Sequence, residues 1–462
     1  MQSDSVLKRS ATWKLGLSII LCSVVDWSYL SGTAIEKIGY WAPVAWFVTI
    51  SAMVTICYSC LEIVLMFPDK SGGLATCIIE GYKKRSPLFA VISQWGYVTG
   101  WGLASGAIAA FASYFIQYFI PVPDEYLNFV AMGIISIVCC INFASVDLIE
   151  KIQKLIYVLF ALTIALLIGA VIKLPVLSQD FAGIELNGGE SMFAIFLSAC
   201  FVVGWSAASI EAVLTFIGEY RNPKKDTKIA LSSGIIVMLV STFALCCAMT
   251  WYLPLNVVLS NPYTPLLPLA EAVYGPLFAK IYGLCLVLGL IIATNACLLP
   301  ASRVLFTASE SGLMPKCFAK LNRNKIPYVA VISIYLVNIL FLITTGGEQP
   351  TFLVVAGGMS YFLMIVLASF SVLVMRKDFP EALRTHRTPT IICYLSAASG
   401  VFYLVMLIVG TAPYGLKTIA YGLFATLIAL PLYWYRVYIE DKRSYVVVEN
   451  TDLNTLSQMD TH

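Results

Sequence analysis

Residues 13–35 read Trp-Lys-Leu-Gly-Leu-Ser-Ile-Ile-Leu-Cys-Ser-Val-Val-Asp-Trp-Ser-Tyr-Leu-Ser-Gly-Thr-Ala-Ile. Past Lys14 the stretch carries one charge, Asp26, near its middle. A membrane-spanning helix needs about 20 mostly apolar residues, and a charge at its centre costs several kcal/mol. The stretch therefore reads as a spanning helix that keeps an expensive carboxyl group. Eleven more apolar runs follow, at 41–66, 87–118, 126–144, 152–174, 191–217, 228–252, 276–308, 327–344, 350–375, 390–410 and 414–437. Those at 87–118 and 276–308 are longer than a bilayer requires, so their helices tilt or protrude. The expected fold class is an all-α membrane protein with twelve transmembrane helices. One membrane domain spans 13–437, between a cytoplasmic segment at 1–12 and a polar, disordered cytoplasmic tail at 438–462.

Composition supports this reading. Of 462 residues, 59% are hydrophobic and only 12% charged, about half the charge of an average soluble domain. The net charge of +3 leaves no basic excess to meet phosphates, which excludes nucleic acid as a partner. The only histidines are His386, in a charged segment, and His462, the last residue, so no His-ligated metal or haem site is expected in the membrane, and no cofactor. The 13 cysteines are scattered, most of them inside apolar runs, and read as packing groups. None stands clearly in an outer loop, so no disulfide-linked subunit is expected. The polar N-terminus shows no signal-peptide cleavage pattern.

Basic residues orient the chain. Twelve spans place 25 of the 29 lysines and arginines on one side and leave Lys37, Lys173, Lys280 and Lys417 on the other. By the positive-inside rule both termini are cytoplasmic, in a plasma (inner) membrane. The longest outer loop, about 175–190, holds Asp180, Glu185 and Glu190.

The mid-membrane charges are all acidic, with no lysine or arginine among them: Asp26, Glu62 and Glu211. They suit a proton site, a cationic group on a substrate, or hydrogen bonding within the bundle. Two of these runs also carry small polar clusters. The first holds Ser28, Ser31, Gly32 and Thr33; the sixth holds Gly204, Ser206, Ala207, Ala208 and Ser209. Such clusters let a helix unwind where neighbours satisfy the freed backbone. Broken helices at corresponding positions of two halves point to a transporter's binding site. The sixth run is the first displaced by five, which suggests a repeat of 13–174 in 191–375, with two extra helices at 390–437.

Three blocks carry a family resemblance. The first is Lys14-Leu15-Gly16, Leu30-Ser31-Gly32, Glu62, Phe67-Pro68 and Gly72-Gly73. The second is Trp205-Ser206-Ala207-Ala208-Ser209-Ile210-Glu211 followed by Glu219-Tyr220-Arg221-Asn222-Pro223-Lys224-Lys225. The third is Ser302-Arg303-Val304-Leu305, Ser311-Gly312-Leu313-Met314-Pro315, Phe318-Ala319-Lys320 and Pro327. In this order they resemble the amino acid–polyamine–organocation (APC) superfamily. The resemblance implies the leucine-transporter-type fold, a five-plus-five inverted repeat working by alternating access. It implies an amino acid's carboxylate and amino groups bound by the backbone around Leu30–Thr33 and Ala207–Ile210. Exposed N–H groups at a half-helix N-terminus suit a carboxylate, and carbonyls at the other half suit an ammonium. Trp205 matches a substrate-stacking tryptophan of basic-amino-acid antiporters, and Glu211 a carboxylate of proton-linked gating. Arg303 matches the inner end of the eighth helix, as a gate residue or a positive-inside residue.

The chain departs from the family pattern at four places. Its opening motif is Leu30-Ser31-Gly32-Thr33-Ala34, without the first glycine. Ser209 replaces the glycine before the helix acid, Phe160 replaces the lysine of proton-coupled relatives, and Asp26 stands where relatives have a small residue. Phe160 favours exchange over lysine-type proton symport. Thr294 and Asn295 offer oxygens for sodium, or serve polar helix contacts.

The expected function is thus secondary active transport of amino acids or related amines, not an enzymatic reaction. Expected substrate-binding residues are Asp26, Ser28, Leu30, Ser31, Gly32, Thr33, Trp205, Ser206, Ala208, Ser209 and Ile210, with Glu62, Glu211 and Arg303 in coupling or gating and no metal. Expected partners are the substrate, the lipid bilayer and, where coupling is proton-linked, protons. The alternatives are an amino-acid sensor with little transport and a proton-coupled symporter of neutral amino acids.

Overall fold

The computed structural model describes residues 9, 11–70, 72–143, 155–177, 191–323, 326–345 and 350–442. The outer-loop acids Asp180, Glu185 and Glu190 and the tail from 443 onward lie outside the described residues. The described chain is helical, with no β-strand among the described residues. In order the helices are α1 (Trp13–Ser23), α2 (Trp27–Ile38), α3 (Ala42–Met66), α4 (Leu74–Gly81), α5 (Pro87–Gln117), α6 (Leu127–Asn142), α7 (Leu155–Lys173), α8 (Met192–Ala207), α9 (Ala212–Thr215) and α10 (Pro223–Tyr252). They continue as α11 (Leu255–Ser260), α12 (Leu266–Tyr274), α13 (Pro276–Glu310), α14 (Tyr328–Thr345), α15 (Thr351–Asp378), α16 (Thr390–Val409), α17 (Gly415–Leu427) and α18 (Ala429–Trp434), closed by a π turn at Tyr435–Glu440. Among the described residues, nine stretches are long and apolar enough to cross a membrane. Four of them are composite: Trp27–Met66 joins α2 to α3, Asp124–Asn142 adds a 3₁₀ turn to α6, Met192–Thr215 joins α8 to α9, and Thr390–Glu440 runs from α16 to the π turn.

Burial sorts the helices into an inner and an outer set. In α5 and α15, 89% of the most apolar window is buried; in α6 and α7 the figure is 33%. α5 packs along α13 and α15 at the centre, and small residues permit the approach. A Cβ on Gly96 would lie 2.7 Å from the Ser360 carbonyl oxygen. Exposed apolar stripes run at helical spacing along Leu277, Ile281, Leu284 and Leu288 at the start of α13 and Leu336, Leu340 and Ile343 on α14. Lipid tails are as apolar as these side chains, so no solvent drives them inward.

Helix ends follow local chemistry. Ser86 caps α5 by accepting the Leu88 N–H at 3.2 Å, with Pro87 at the first helical position. Ser191 caps α8 through the Ala194 N–H at 3.2 Å. The segment ahead of α1 pairs with the turn before α10: Ala11 N–H donates to the Glu219 carbonyl at 3.0 Å and Arg221 N–H to the Ala11 carbonyl at 2.8 Å. α13 runs through Pro300, which has no N–H to offer the Ala296 carbonyl.

Two helical segments are interrupted. α1 and α2 are separated by a 3₁₀ turn at Val24–Asp26, and α8 and α9 by a 3₁₀ turn at Ala208–Glu211. The first interruption corrects an expectation, because Leu30–Thr33 lies inside the regular helix α2. The Thr33 hydroxyl returns to the Leu30 carbonyl at 2.8 Å, and Gly32 presses against the Pro262 carbonyl oxygen, which a Cβ would approach to 1.9 Å. At Gly32 this helix thus packs tightly against the 262–265 segment.

Candidate functional site

The two interruptions meet through Asp26. This residue is 6% exposed, and its Oδ1 accepts the Tyr29 hydroxyl at 2.5 Å. Ser206, in the last turn of α8, acts on the Asp26 carboxylate from the second interrupted segment. Tyr29 is itself fixed, its ring stacked on Phe111 of α5 at 3.8 Å between centroids and 16° between planes. A carboxyl group in the bundle interior thus keeps a hydrogen-bond donor, and that donor is itself fixed by stacking.

Glu211 ends the second interruption and is fully buried. Its Oε1 accepts Trp101 Nε1 of α5 at 3.1 Å and the Tyr361 hydroxyl of α15 at 2.9 Å, while Oε2 has no hydrogen-bond partner. Two glycines make this geometry possible. Gly100 lets the Tyr361 ring lie against α5, where a Cβ would come within 2.6 Å of Tyr361 Cγ. Gly73, at φ +54°, faces Thr215 and lies near Glu211 Oε2, which its Cβ would approach to 3.4 Å.

A cavity of about 30 Å³ lies between these groups. The first segment contributes Ile19, Cys22 and Asp26, and α5 contributes Gly100, Trp101, Ala104 and Ile108. Trp205 and Ser209 face it from the second interrupted segment, Ala293, Ala296 and Cys297 from α13, and Tyr361 from α15. The Ser209 hydroxyl is buried without a partner. The volume suits one or two water molecules. One carboxylate, one free hydroxyl, aromatic faces and alanines can orient a small molecule with a cationic group once the helices part.

Of the expected residues, Asp26, Trp205 and Ser209 line the cavity, Ser206 joins through Asp26, and Glu211 stands one layer behind Trp101 and Tyr361. The structure does not bring the others to its wall. The Ser28 hydroxyl donates to the Val25 carbonyl at 2.6 Å, and Ser31 accepts Trp46 Nε1 at 3.1 Å. Leu30, Gly32, Thr33, Ala208 and Ile210 are absent from the lining. Asn295 Oδ1 is taken by Asn142 Nδ2 at 2.7 Å, and the Thr294 hydroxyl by the Leu290 carbonyl at 2.9 Å.

Glu62 belongs to a separate cluster at the end of α3. It accepts Arg376 at 3.0 and 2.5 Å, Arg384 Nε at 3.0 Å and the Thr388 N–H at 2.8 Å. Arg303 is exposed and acts electrostatically on Glu219. Burial pushes the Glu219 carboxyl above its ordinary value, and the Arg303 charge pulls it back.

Sequence reasoning missed Trp101, Tyr361, Cys22 and Cys297. The Gly100-Trp101-Gly102 triplet is the signal for Trp101, since glycines on both sides of a mid-span tryptophan free space around it. The cysteines carry no such signal, because many other apolar positions hold cysteine.

The sequence from 15 to 432 matches the model of the family described as amino acid permease. The chain is similar to the uncharacterized amino acid permease YvbW of Bacillus subtilis, 25% identical over 63% of this chain and 67% of that protein. It is also similar to the lysine-specific permease LysP of Lactococcus lactis, 24% identical over 73% of this chain and 67% of the relative. The L-asparagine permease of Salmonella typhimurium is 23% identical over 60% of this chain and 57% of its own length. These relatives are permeases rather than enzymes. With its apolar helices and its carboxylate-bearing cavity, the chain is a multi-pass integral membrane protein that belongs to the amino acid permease family of the APC superfamily.

Proposed function

We propose that the chain is an alternating-access carrier of amino acids or related amines, and that the cavity at Asp26 receives the substrate's cationic group. The observation that carries this reading is the placement of Asp26. A buried carboxylate lines a cavity between two interrupted segments and is held by the Tyr29 hydroxyl. Trp205 and Trp101 offer aromatic faces beside it, which favour a cation. The similarity to a permease named lysine-specific agrees with a cationic substrate. The small cavity suits a closed state that widens when the helices separate.

In this reading α1–α2 and α8–α9 are single interrupted crossings, the chain crosses the membrane twelve times, and both termini face the cytoplasm. Residues 13–174 and 191–375 form the two inverted halves. The ion pairs Glu62–Arg376, Arg85–Asp378 and Lys316–Asp441 join segments of the basic-rich side to one another, which supports one charged end. Exchange is favoured over proton symport, since Phe160 stands where proton-coupled relatives carry a lysine.

The test is uptake into liposomes holding the purified chain, with labelled L-lysine, L-arginine, L-asparagine and putrescine offered in turn. Uptake of a cationic species that depends on unlabelled substrate inside supports the exchanger. Uptake driven into empty vesicles by a pH gradient replaces exchange with proton symport. Binding without uptake overturns the carrier reading in favour of a sensor.

A further inference from the structure

Cys22 and Cys297 face the cavity from two different segments, the first at the end of α1 and the second in the middle of α13. Both thiols are free and share the cavity wall with Asp26. The Ser209 hydroxyl, buried and without a partner, faces the same space. The wall therefore combines one anion, two soft nucleophiles and one unsatisfied hydroxyl. Cys57, Cys60, Cys77, Cys200 and Cys246 are fully buried and none lines the cavity, so the pair is set apart by position.

We propose that this cavity is a covalent modification site for small cationic thiol-directed electrophiles, with Cys297 and Cys22 as nucleophiles and Asp26 as the group that draws the cation in. This inference rests on the transport reading, because the electrophile enters when the cavity opens. A cation held at Asp26 brings its reactive end beside the thiols and offsets the carboxylate's charge as the thiolate forms. With a methanethiosulfonate, the thiolate sulfur attacks the sulfenyl sulfur. A new S–S bond forms, the S–SO₂ bond breaks, and methanesulfinate leaves with the electron pair. The cysteine sulfur is oxidised, the sulfonyl sulfur is reduced, and the thiol proton passes to water. Cys297, at 7% exposure against 2% for Cys22, reacts first. The added group fills the cavity and stops substrate entry.

The test treats the full chain in liposomes with trimethylammonioethyl methanethiosulfonate or its anionic counterpart, sulfonatoethyl methanethiosulfonate. Peptide mass spectrometry follows each cysteine. Cys317, half-buried in the Lys316–Ala319 turn, is the internal reference. The expected result is labelling of Cys297 by the cation at least about tenfold faster than by the anion, after normalisation to Cys317. Asp26→Asn removes that preference, and Asp26→Glu keeps it. Labelling of Cys317 alone, or equal rates for both reagents at Cys297, overturns the proposal; this comparison on the unsubstituted chain stands even where a variant fails to fold. L-lysine slowing the labelling supports both readings. Charge-selective labelling that L-lysine leaves unchanged upholds the modification site and counts against a cationic amino acid as substrate.

Discussion

Tyr29 donates its hydroxyl to Asp26 Oδ1 at 2.5 Å, from a ring clamped flat on Phe111. The bond spans the junction between the 3₁₀ turn and α2, so the aromatic stack fixes the direction of the carboxylate. Asp26→Asn keeps the size and removes the charge. The expected outcome is about 10- to 100-fold weaker binding of a cationic amino acid, from loss of a charge-assisted hydrogen bond. Neutral amino acids lose less. Calorimetric titration with L-lysine and L-asparagine reads the difference, and equal losses for the two would count against the assignment.

Glu211 is held by donors that lie far away in sequence, Trp101 and Tyr361. Glu211→Gln preserves an acceptor for both. Glu211→Leu leaves both buried donors without a partner, at about 1–3 kcal/mol each. The leucine variant is therefore expected to unfold at a clearly lower temperature than the glutamine variant. A thermal melt in detergent compares them, and coincident midpoints would refute the role of these hydrogen bonds.

Gly100→Ala tests close packing beside the cavity. Its Cβ would sit 2.6 Å from Tyr361 Cγ, inside any normal contact, and part of the ring's own atoms would have to move. Overpacking of this kind costs about 1–3 kcal/mol. Displacing the ring also pulls the Tyr361 hydroxyl from Glu211. A loss of transport greater than the loss of folded protein is expected, measured as uptake per correctly folded molecule.

Glu62 neutralises two arginines whose side chains are only 14% and 10% exposed. Glu62→Gln leaves Arg376 and Arg384 close together without their anion. Removing one partner from such a buried cluster costs about 3–5 kcal/mol. The expected outcome is poor recovery of folded chain, with partial rescue on adding Arg384→Gln. No rescue in the double variant, judged by monodisperse yield, would mean that charge balance is not the cause.

The end of the described chain predicts a pH response. Lys316 Nζ and Arg436 Nε each reach Asp441 at 2.8 Å, and Arg436 also donates to the Met314 carbonyl at 3.0 Å. Burial pushes the Asp441 carboxyl up, but the hydrogen bonds and charges of Lys316 and Arg436 outweigh it and hold it below the ordinary value of 3.8. A depressed carboxyl contributes stability that is fully present above its unfolded pKa and is lost as pH falls through the folded one. Melting points recorded from pH 7 down to about pH 3 should fall less steeply for Asp441→Asn than for the native chain. At pH 7 the variant should melt lower.

The apolar runs and the motif blocks were legible in the sequence. They are legible because the bilayer imposes local rules: each span must satisfy its own backbone, and each charge must find water or a partner. The same rules singled out Asp26, Glu62 and Glu211 before any contact was known. Tertiary structure alone decided their fates. Asp26 met Ser206 and a cavity, Glu211 met Trp101 and Tyr361, and Glu62 met Arg376 and Arg384 at a distance from both. It also put the first interruption at Val24–Asp26 and left Gly32 helical against Pro262. Whether a small polar cluster unwinds or packs depends on the neighbour that folding brings to it, and that neighbour stands hundreds of residues away in the chain.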